Sequence, residues 1–402
     1  MKILIICPKL PWPILTGGEQ AVFNMVKHLQ HHCDIHFIYP TTTETIDAQF
    51  KDFWNSVKFH PYIINKTFKL LISRVALRIF NNSRLNNKNL NWLQPSSNFF
   101  MPEFINFINR TVYEIKPDII QTEFYNYQDL VFALPDNICK IFIQHEIHYI
   151  VNEQALLRNK TTDFEKFLFK KIKAEEISAM NNYNAVFTLT ENDKTELTKN
   201  GVLTTIYSSP AGIEQPETRN SCIFSNKLIF VGGSGHTPNL EGITWFINDV
   251  WDNIIQKHPE VSLNIIGKWD EKSINNISNQ HKNIHFKGFV PSLQDEYNGA
   301  IAIVPILSGS GMRMKIVDAV NFGSPFVSTT IGAEGLEYKD ATDCFISDDP
   351  KQFAEKVNML IEDEHLRKLF YNNSAKTRDK YYSMEALANI RLNLYKKVLE
   401  KG

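Results

Sequence analysis

Two cations and a carboxylate follow a run of small residues in the stretch LSGSGMRMKIVD, Leu307 to Asp318. Small residues let backbone N–H groups approach a ligand closely, and a helix N-terminus offers unpaired N–H donors with a partial positive charge. Arg313 and Lys315 add two full charges, and Asp318 could accept hydrogen bonds from sugar hydroxyls. The pattern favours a phosphate site. The alternative is a surface pair of Lys315 with Asp318, three residues apart, beside a solvated Arg313.

Common fingerprints of other phosphate sites are missing from the sequence. GSGMRM lacks the third glycine of G-x-G-x-x-G, and no G-x-x-x-x-G-K-[ST] occurs. No Asp-x-Asp pair is found either, which disfavours sugar transferases that chelate a metal with such a pair. We therefore expect neither a metal nor another cofactor.

Other polar or flexible positions lie where the first predicted strands end. Gly17 and Gly18 join the first strand to the first helix, where a backbone bends or approaches a ligand; a plain turn explains them equally well. His145 directly follows the apolar run KIFIQ, where it could donate a hydrogen bond to a sugar or phosphate oxygen. Taken alone, a buried structural role is the better interpretation of His145, and the same holds for Glu123, which ends IIQTE. The spacing of His145 and His148 does not match the H-E-x-x-H zinc motif.

Short apolar strands alternate with helix-length segments through the whole chain. This alternation predicts the α/β class with parallel sheets, which bind ligands at the carboxyl ends of their strands. A turn-rich segment at 208–221 divides a domain at 1–207 from a second at 222–380. We expect the helix at 381–402 to pack on the first domain. Its apolar residues show the spacing of a buried face: Leu387, Ile390, Leu392, Leu394 and Val398.

The composition limits the class of protein. The chain has 402 residues, 43% of them apolar and 22% charged, which suffices for two packed domains. A net charge of −1 gives no reason to expect nucleic-acid binding. Five scattered cysteines indicate reduced thiols, and the first apolar run is too short for a signal peptide. We expect a cytoplasmic protein.

One basic segment could contact a membrane. No Asp or Glu occurs from 53 to 101, and FKLLISRVALRIF mixes basic and apolar residues at helical spacing, as does FEKFLFKKIK at 164–173. Such helices can lie on anionic membranes, here at the inner face, although a solvated helix with one buried side is an equal alternative. The basic residues proposed for this contact are Lys66, Lys69, Arg74 and Arg78.

Several strings together resemble the group 1 (family 4) glycosyltransferases of the GT-B fold. They are ICPKLPWPILTGGEQ, IQHE, IFVGGSGHTPNLEGITWF, LNIIGK, HFKGFV and, most specifically, YNGAIAIVPILSGSGMRMKIVDAVNFGSPFVSTTIGAEGL. The resemblance covers nearly the whole chain. It implies two Rossmann-like domains facing across a cleft, with the C-terminal helix crossing back to the first. It also implies a retaining transfer from a nucleotide sugar, with UDP expected, to a glycan, a lipid-linked or another cell-surface acceptor.

The family motif carries over residue by residue, with two departures. The second Glu of the family's Glu-x7-Glu, which binds ribose, matches Asp318, whereas the first matches Ser310. The family's Arg and Lys after the first strand of the second domain are missing from VGGSGHTPNLEG, so Arg313 and Lys315 look like substitutes. The resemblance implies catalytic roles for His145, Arg313 and Lys315. It implies donor binding by Gly17, Gly18, Gly232, Gly233, Phe289, Val290, Gly309, Ser310, Gly311, Met312 and Asp318.

Two other functions remain open from the sequence. A GT-B epimerase acting on UDP-N-acetylhexosamine would need several acidic groups that we do not find at matching positions. A non-catalytic GT-B subunit that supports a partner transferase is compatible with Ser310 in place of Glu, but Arg313, Lys315, Asp318 and His145 count against it.

Overall fold

The computed structural model contains two α/β units. Pairing and packing are described for residues 1–43, 45–64, 102–158, 161–212, 214–216, 223–278, 281 and 283–401. Unit 1 comprises Met1–Trp12, Val26–Ser209 and Ile390–Gly402, and unit 2 comprises Pro13–Met25 and Pro210–Asn389. Each unit is therefore assembled from separate parts of the sequence.

Among the described residues, the sheet of unit 1 has seven parallel strands in the order β3-β2-β1-β4-β5-β6-β7. The strands at Lys2–Ile6, Ile119–Glu123, Cys139–Gln144 and Ala185–Thr188 are almost completely buried, as expected where helices cover both faces of a parallel sheet. The strands are β1 Lys2–Ile6, β2 Asp34–Thr41, β3 Lys58–Ile63, β4 Ile119–Glu123, β5 Cys139–Gln144, β6 Ala185–Thr188 and β7 Thr205–Ser208.

Helices connect these strands, and their ends follow from local sequence. Thr162 and Glu165 form a capping box at the start of one helix, and Gly201 adopts φ +92° just after the end of another. The first half of the chain contains a 3-10 segment at Tyr125–Phe132. Its helices are α1 Gly17–Leu29, α2 Ala48–Phe53, α3 Pro102–Ile115, α4 His148–Arg158, α5 Asp163–Met180 and α6 Glu191–Lys199.

In the described part of unit 2, the sheet has six parallel strands in the order β10-β9-β8-β11-β12-β13. This is the 3-2-1-4-5-6 order of a Rossmann-type sheet, in which the strand order reverses between β8 and β11. The strands are β8 Lys227–Val231, β9 Ser262–Ile266, β10 Ile284–Gly288, β11 Ala300–Val304, β12 Phe326–Ser328 and β13 Phe345–Ile346.

The helices of the second half include one irregularity that the sequence did not predict. A π segment at Phe246–Val250 separates two α-helical segments, Thr237–Trp245 and Trp251–Ile255. Within the described ranges, no helix is both long and apolar enough to cross a bilayer. The helices are α7 Thr237–Trp245, α8 Trp251–Ile255, α9 Glu271–Ser278, α10 Leu293–Tyr297, α11 Met314–Asn321, α12 Thr330–Ala333, α13 Pro350–Glu362, α14 Glu364–Tyr381 and α15 Met384–Leu399.

The two units differ from the sequence-based division at the last helix, where residues 381–389 belong to unit 2 and only Ile390–Gly402 belongs to unit 1, and most clearly in the position of Pro13–Met25. Contacts within unit 2 explain this. Gln20 Nε2 donates to Asp318 Oδ1 at 2.8 Å, and Asn24 Nδ2 donates to the Gly212 carbonyl at 3.0 Å. The start of α1 is thus bonded to residues as far as 298 positions away in the chain.

Candidate functional site

A tight loop follows β11, at the point where the strand order in the sheet of unit 2 reverses. Open α/β sheets bind ligands at the carboxyl ends of the strands at such a point. Gly309 and Gly311 adopt φ +95° and +84°, where any other residue would be strained. Ser310 between them and Met312 after them are buried. The small residues noted in the sequence are therefore needed for the shape of this loop.

Arg313 stabilises the loop from within. It is the N-cap residue of α11, and only 8% of its surface is exposed. Its guanidinium donates to the Ser310 carbonyl, to the Gly311 carbonyl at 3.1 Å and to the Ser308 carbonyl at 3.4 Å. A solvated Arg313, one of the two interpretations of the sequence, is therefore wrong. The guanidinium thus places a positive charge at the start of α11, and its hydrogen bonds hold the loop in position.

Lys315 lies in the first turn of α11 and is half-buried. Its Nζ donates to Asn239 Oδ1 at 2.6 Å and lies 4.7 Å from the centre of the Phe230 ring. Asn239 in turn donates to the Gly233 carbonyl at 3.0 Å. Burial, followed by the neighbouring charge of Arg313, lowers the pKa of Lys315 to about 7. Two cations held together in this way favour binding of an anion.

Asp318 is buried one turn further along α11, with 4% of its surface exposed. Its carboxylate accepts the hydrogen bond from Gln20, and burial raises its pKa to about 7. The surface pair with Lys315 that the sequence left open is not formed, since Lys315 is bonded to Asn239. A buried acidic group therefore lies on the same short helix as the two cations.

Glycines end three neighbouring strands of the unit 2 sheet. The N–H of Gly232 donates to the Ile266 carbonyl at 2.8 Å, and that of Gly267 donates to the Gly288 carbonyl at 2.8 Å. A Cβ at Gly267 would lie 2.8 Å from the Gly232 carbonyl carbon, and one at Gly233 would lie 2.8 Å from the Lys268 oxygen. The backbones at this edge approach one another too closely for larger residues.

The remaining predicted donor residues lie in two other places in unit 2. Phe289 follows Gly288 directly, with 67% of its surface exposed, and the half-buried Val290 comes next. Gly17 lies against α11, where a Cβ would come within 3.0 Å of the Met314 side chain, and Gly18 is half-buried beside it. The structure therefore brings Gly17 to the helix that carries Lys315 and Asp318. Their roles in binding stay predictions.

His145 belongs to unit 1, at the carboxyl end of β5. Its Nε2 lies 2.7 Å from Glu123 Oε2 at the end of the adjacent strand β4. Phe124 stacks on the imidazole with ring centres 4.3 Å apart. The two strand-end residues noted separately in the sequence thus form one buried pair.

Sequence reasoning missed several residues of these two sites. Asn239 and Gln20 are ordinary polar residues on helices, and nothing in their type or spacing marks them as site residues, although both lie within strings that carry the family resemblance. Gly267 ends the apolar run VSLNII, so its position at a strand end was a usable signal. Glu241 was missed too; its Oε2 accepts a hydrogen bond of 2.8 Å from Ser308 Oγ. Gln121 and Tyr395 also escaped notice, although their hydrogen bonds lead through Glu123 to His145.

Comparison with known proteins gives a family match within the second half of the chain. Residues 225–363 match the family model described as Glycosyl transferases group 1. An uncharacterised 44.6 kDa protein in the cps region of Klebsiella pneumoniae is 27% identical over 172 residues. That match spans 40% of this chain and 44% of the length of this curated relative.

Solved structures of low sequence identity have the same fold as the chain. A mutant of TarM of S. aureus, solved with fondaparinux, alpha-GlcNAc-glycerol and UDP, is 13% identical at a TM-score of 0.69, covering 98% of this chain and 100% of that one. HepE of Anabaena, solved with UDP and glucose, is 14% identical at a TM-score of 0.68, covering 99% of this chain and 100% of that one. Sucrose-phosphate synthase of Thermosynechococcus elongatus is 11% identical at 0.72, covering all of both chains.

These comparisons confirm the resemblance and the fold class inferred from the sequence. The chain has the GT-B fold with two Rossmann-like domains, and its residues 225–363 match the model of the group 1 glycosyl transferases.

Proposed function

We propose that this protein is a retaining glycosyltransferase that moves a sugar from a UDP-sugar to a glycan or lipid-linked acceptor. The observation that carries the proposal is the cluster at the start of α11. Lys315 is linked through Asn239 to Gly233, beside Arg313 and the buried Asp318. All of these residues lie inside the matched segment 225–363.

The cluster suits a leaving nucleoside diphosphate. Negative charge grows on the diphosphate as the glycosidic bond breaks, and fixed cations together with helix N–H groups stabilise that charge. In this proposal Lys315 contacts the diphosphate, while Arg313 adds positive potential and keeps the loop in shape. Asp318 accepts hydrogen bonds from the ribose, and the exposed ring of Phe289 contacts the base. A front-face substitution, in which the leaving phosphate helps to deprotonate the acceptor, would retain the anomeric configuration.

The donor and acceptor classes are supported by relatives. UDP is bound in the TarM and HepE structures, and the Klebsiella relative is described by its cps region, which supports a role in polysaccharide synthesis. The proposal includes a cytoplasmic location at the inner face of a membrane. The residues proposed for membrane contact, Lys66, Lys69, Arg74 and Arg78, lie outside the described residues.

Donor hydrolysis tests the proposed activity. The purified chain is incubated with a panel of UDP-sugars without acceptor, and release of UDP and free sugar is followed. We expect slow hydrolysis of one UDP-sugar, and we expect the released sugar to keep the anomeric configuration of the donor by NMR. A new UDP-sugar isomer would indicate an epimerase instead. No turnover of any donor, with UDP still bound, would favour a non-catalytic subunit.

Transfer should not require a divalent metal ion, because Lys315 and Arg313 supply the positive charge that a metal would otherwise bring to the diphosphate. We expect the rate of donor hydrolysis to be the same with and without a chelator. A rate that disappears with the chelator and returns with Mg²⁺ or Mn²⁺ would contradict the metal-independent proposal, whereas the proposed transfer reaction would stand.

Binding of UDP at pH 8 should take up close to one proton. In the unliganded protein Lys315, with a pKa of about 7, is mostly neutral at pH 8, and Asp318 has already lost its proton. A diphosphate at Lys315 favours the charged amine, so affinity should fall as pH rises from 7 to 9. UDP itself is fully ionised over this range, since phosphate monoesters titrate near pH ~6.

Calorimetry in buffers of different ionisation enthalpy measures this proton uptake directly. The variant Lys315→Met should bind UDP without the buffer-dependent heat. If the wild-type protein gives the same binding enthalpy in all buffers at pH 8, Lys315 does not contact the diphosphate as a charged group.

A further inference from the structure

A line of buried hydrogen bonds joins the last helix to His145 within unit 1. The Tyr395 hydroxyl donates to Gln121 Oε1, and Gln121 Nε2 donates to Glu123 Oε1 at 2.5 Å. The other carboxylate oxygen, Glu123 Oε2, lies 2.7 Å from His145 Nε2. Tyr395, Gln121 and Glu123 are all at least 97% buried. We call these three residues and His145 the relay.

The chemistry of each group gives the relay a direction. Because the side-chain oxygen of Gln121 accepts a hydrogen bond from Tyr395, the side-chain NH₂ of Gln121 must point at Glu123. A carboxylate that accepts from Gln121 on one oxygen accepts from His145 on the other, so Nε2 of a neutral ring carries the proton. Burial raises the pKa of Tyr395 to about 12, which keeps its hydroxyl protonated as the first donor.

The other ring nitrogen, His145 Nδ1, is then a hydrogen-bond acceptor. It is buried and has no hydrogen-bond partner among the described residues. Phe124 stacks on the ring at an interplanar angle of 15° and has a φ of +66°, a conformation that is strained for a non-glycine residue. A buried nitrogen lone pair without a donor is also unfavourable. Both features suit a position that a ligand completes.

We propose that Tyr395, Gln121 and Glu123 are positioning residues that hold His145 in its Nε2–H tautomer, so that Nδ1 accepts a hydrogen bond from a hydroxyl of a bound sugar. A neutral Nδ1 would repel a phosphate oxygen, which has no proton to donate, so the ligand group is a hydroxyl. The donated hydrogen bond expected from the sequence would require a protonated ring. The sugar in this inference rests on the proposed transferase activity, whereas the tautomer does not.

The variant Glu123→Gln gives the sharpest test. In that protein the Gln121 N–H still points at position 123, so the new amide must turn its oxygen to Gln121 and its NH₂ to His145. Nε2 must then accept, and the neutral ring should change to the Nδ1–H tautomer. NMR of ¹⁵N-histidine-labelled protein in alkaline buffer reports which nitrogen is protonated, and His145→Gln assigns the signal among the 12 histidines.

The double variant Glu123→Gln/Tyr395→Phe tests the role of Tyr395. Without the Tyr395 hydroxyl, Gln121 can turn over, and the new amide is no longer held in one orientation. We expect a mixture of the two tautomers. Tyr207→Phe in the Glu123→Gln background is the matched control, because the buried Tyr207 hydroxyl has no hydrogen-bond partner within the described part of the chain. It should leave the inverted tautomer unchanged.

Three outcomes would overturn the proposal or part of it. A wild-type Nδ1–H tautomer, or no inversion in a folded Glu123→Gln protein, rejects the relay. An inversion that Tyr395→Phe does not disturb rejects the role of Tyr395.

In transfer assays Glu123→Gln should lower kcat at least about tenfold with little change in the KM for the donor, and a change in KM with kcat intact would reject a role in the reaction.

The NMR measurement needs no nucleotide sugar, so it separates this inference from the proposed function. A wild-type protein with the Nε2–H tautomer and no donor hydrolysis would reject the transferase proposal and keep the relay. Donor hydrolysis by a protein that lacks the Nε2–H tautomer would keep the transferase proposal and reject the relay.

Discussion

Replacing Lys315 with methionine should weaken UDP binding by roughly 10- to 100-fold, the effect of losing one charge-assisted hydrogen bond of about 1.5–3 kcal/mol. The methionine keeps an apolar side chain over the Phe230 ring, so the fold should survive the change. The rate of transfer should fall further than the affinity, because the charge on the diphosphate is larger in the transition state than in the bound donor.

Lys257→Met is the matched control for this experiment. Its amine forms a surface ion pair of 2.6 Å with Glu362, away from α11 in the chain, and such pairs contribute little. UDP affinity from calorimetry and kcat from a coupled UDP assay should be normal in this variant. If Lys315→Met and Lys257→Met bind UDP equally well, the phosphate site at the start of α11 is refuted.

Replacing Asp318 with asparagine should stabilise the unliganded protein and weaken nucleotide binding at the same time. The folded-state pKa of about 7 lies above the ordinary 3.8, so the folded protein holds this proton more tightly between these values. Folding stability contributed by the group is therefore complete below about pH 4 and falls as pH rises towards 7. At pH 8 the difference between the folded-state and ordinary pKa values corresponds to about 4 kcal/mol of folding stability. Asparagine can restore at most this amount.

Thermal unfolding at pH 4 and pH 8 checks this prediction. Asp318→Asn should raise the Tm at pH 8 and change it little at pH 4, while UDP affinity falls about tenfold through the lost ribose contact. Asp249→Asn, at an exposed carboxylate, should change neither quantity. A destabilised Asp318→Asn protein at pH 8 would show that the carboxylate supports the fold and is not held at a cost for ligand binding.

The fold could be read from the sequence because strand and helix signals are local. Apolar runs such as KILII and AIAIV are long enough for buried parallel strands, and the segments between them are long enough for crossover helices. Glu123 and His145 could both be noticed because each follows such a run. Parallel strands end at one edge of the sheet, so the two side chains meet there.

The partners of the site residues could not be read because they are distant in sequence. Gln20 and Asp318 are 298 residues apart, and Tyr395 and Gln121 are 274 apart. Periodicity also failed locally, since Ile390 belongs to the apolar pattern of the last helix but is 43% exposed. Sequence spacing also could not show that the Arg313 guanidinium donates to the carbonyls of its own loop, while its predicted contact with the diphosphate stays a prediction.

The discontinuous units have a consequence for how the protein is made. Synthesis proceeds from the N-terminus, and domains usually fold as they emerge from the ribosome. Here Gln121 is synthesised 274 residues before Tyr395, and Gln20 is synthesised 298 residues before Asp318. Neither unit can complete these buried polar contacts until the later partner has been made. A nascent chain that still lacks Asp318 and Tyr395 should therefore be susceptible to proteolysis and dependent on chaperones, even though parts of both sheets could pair earlier.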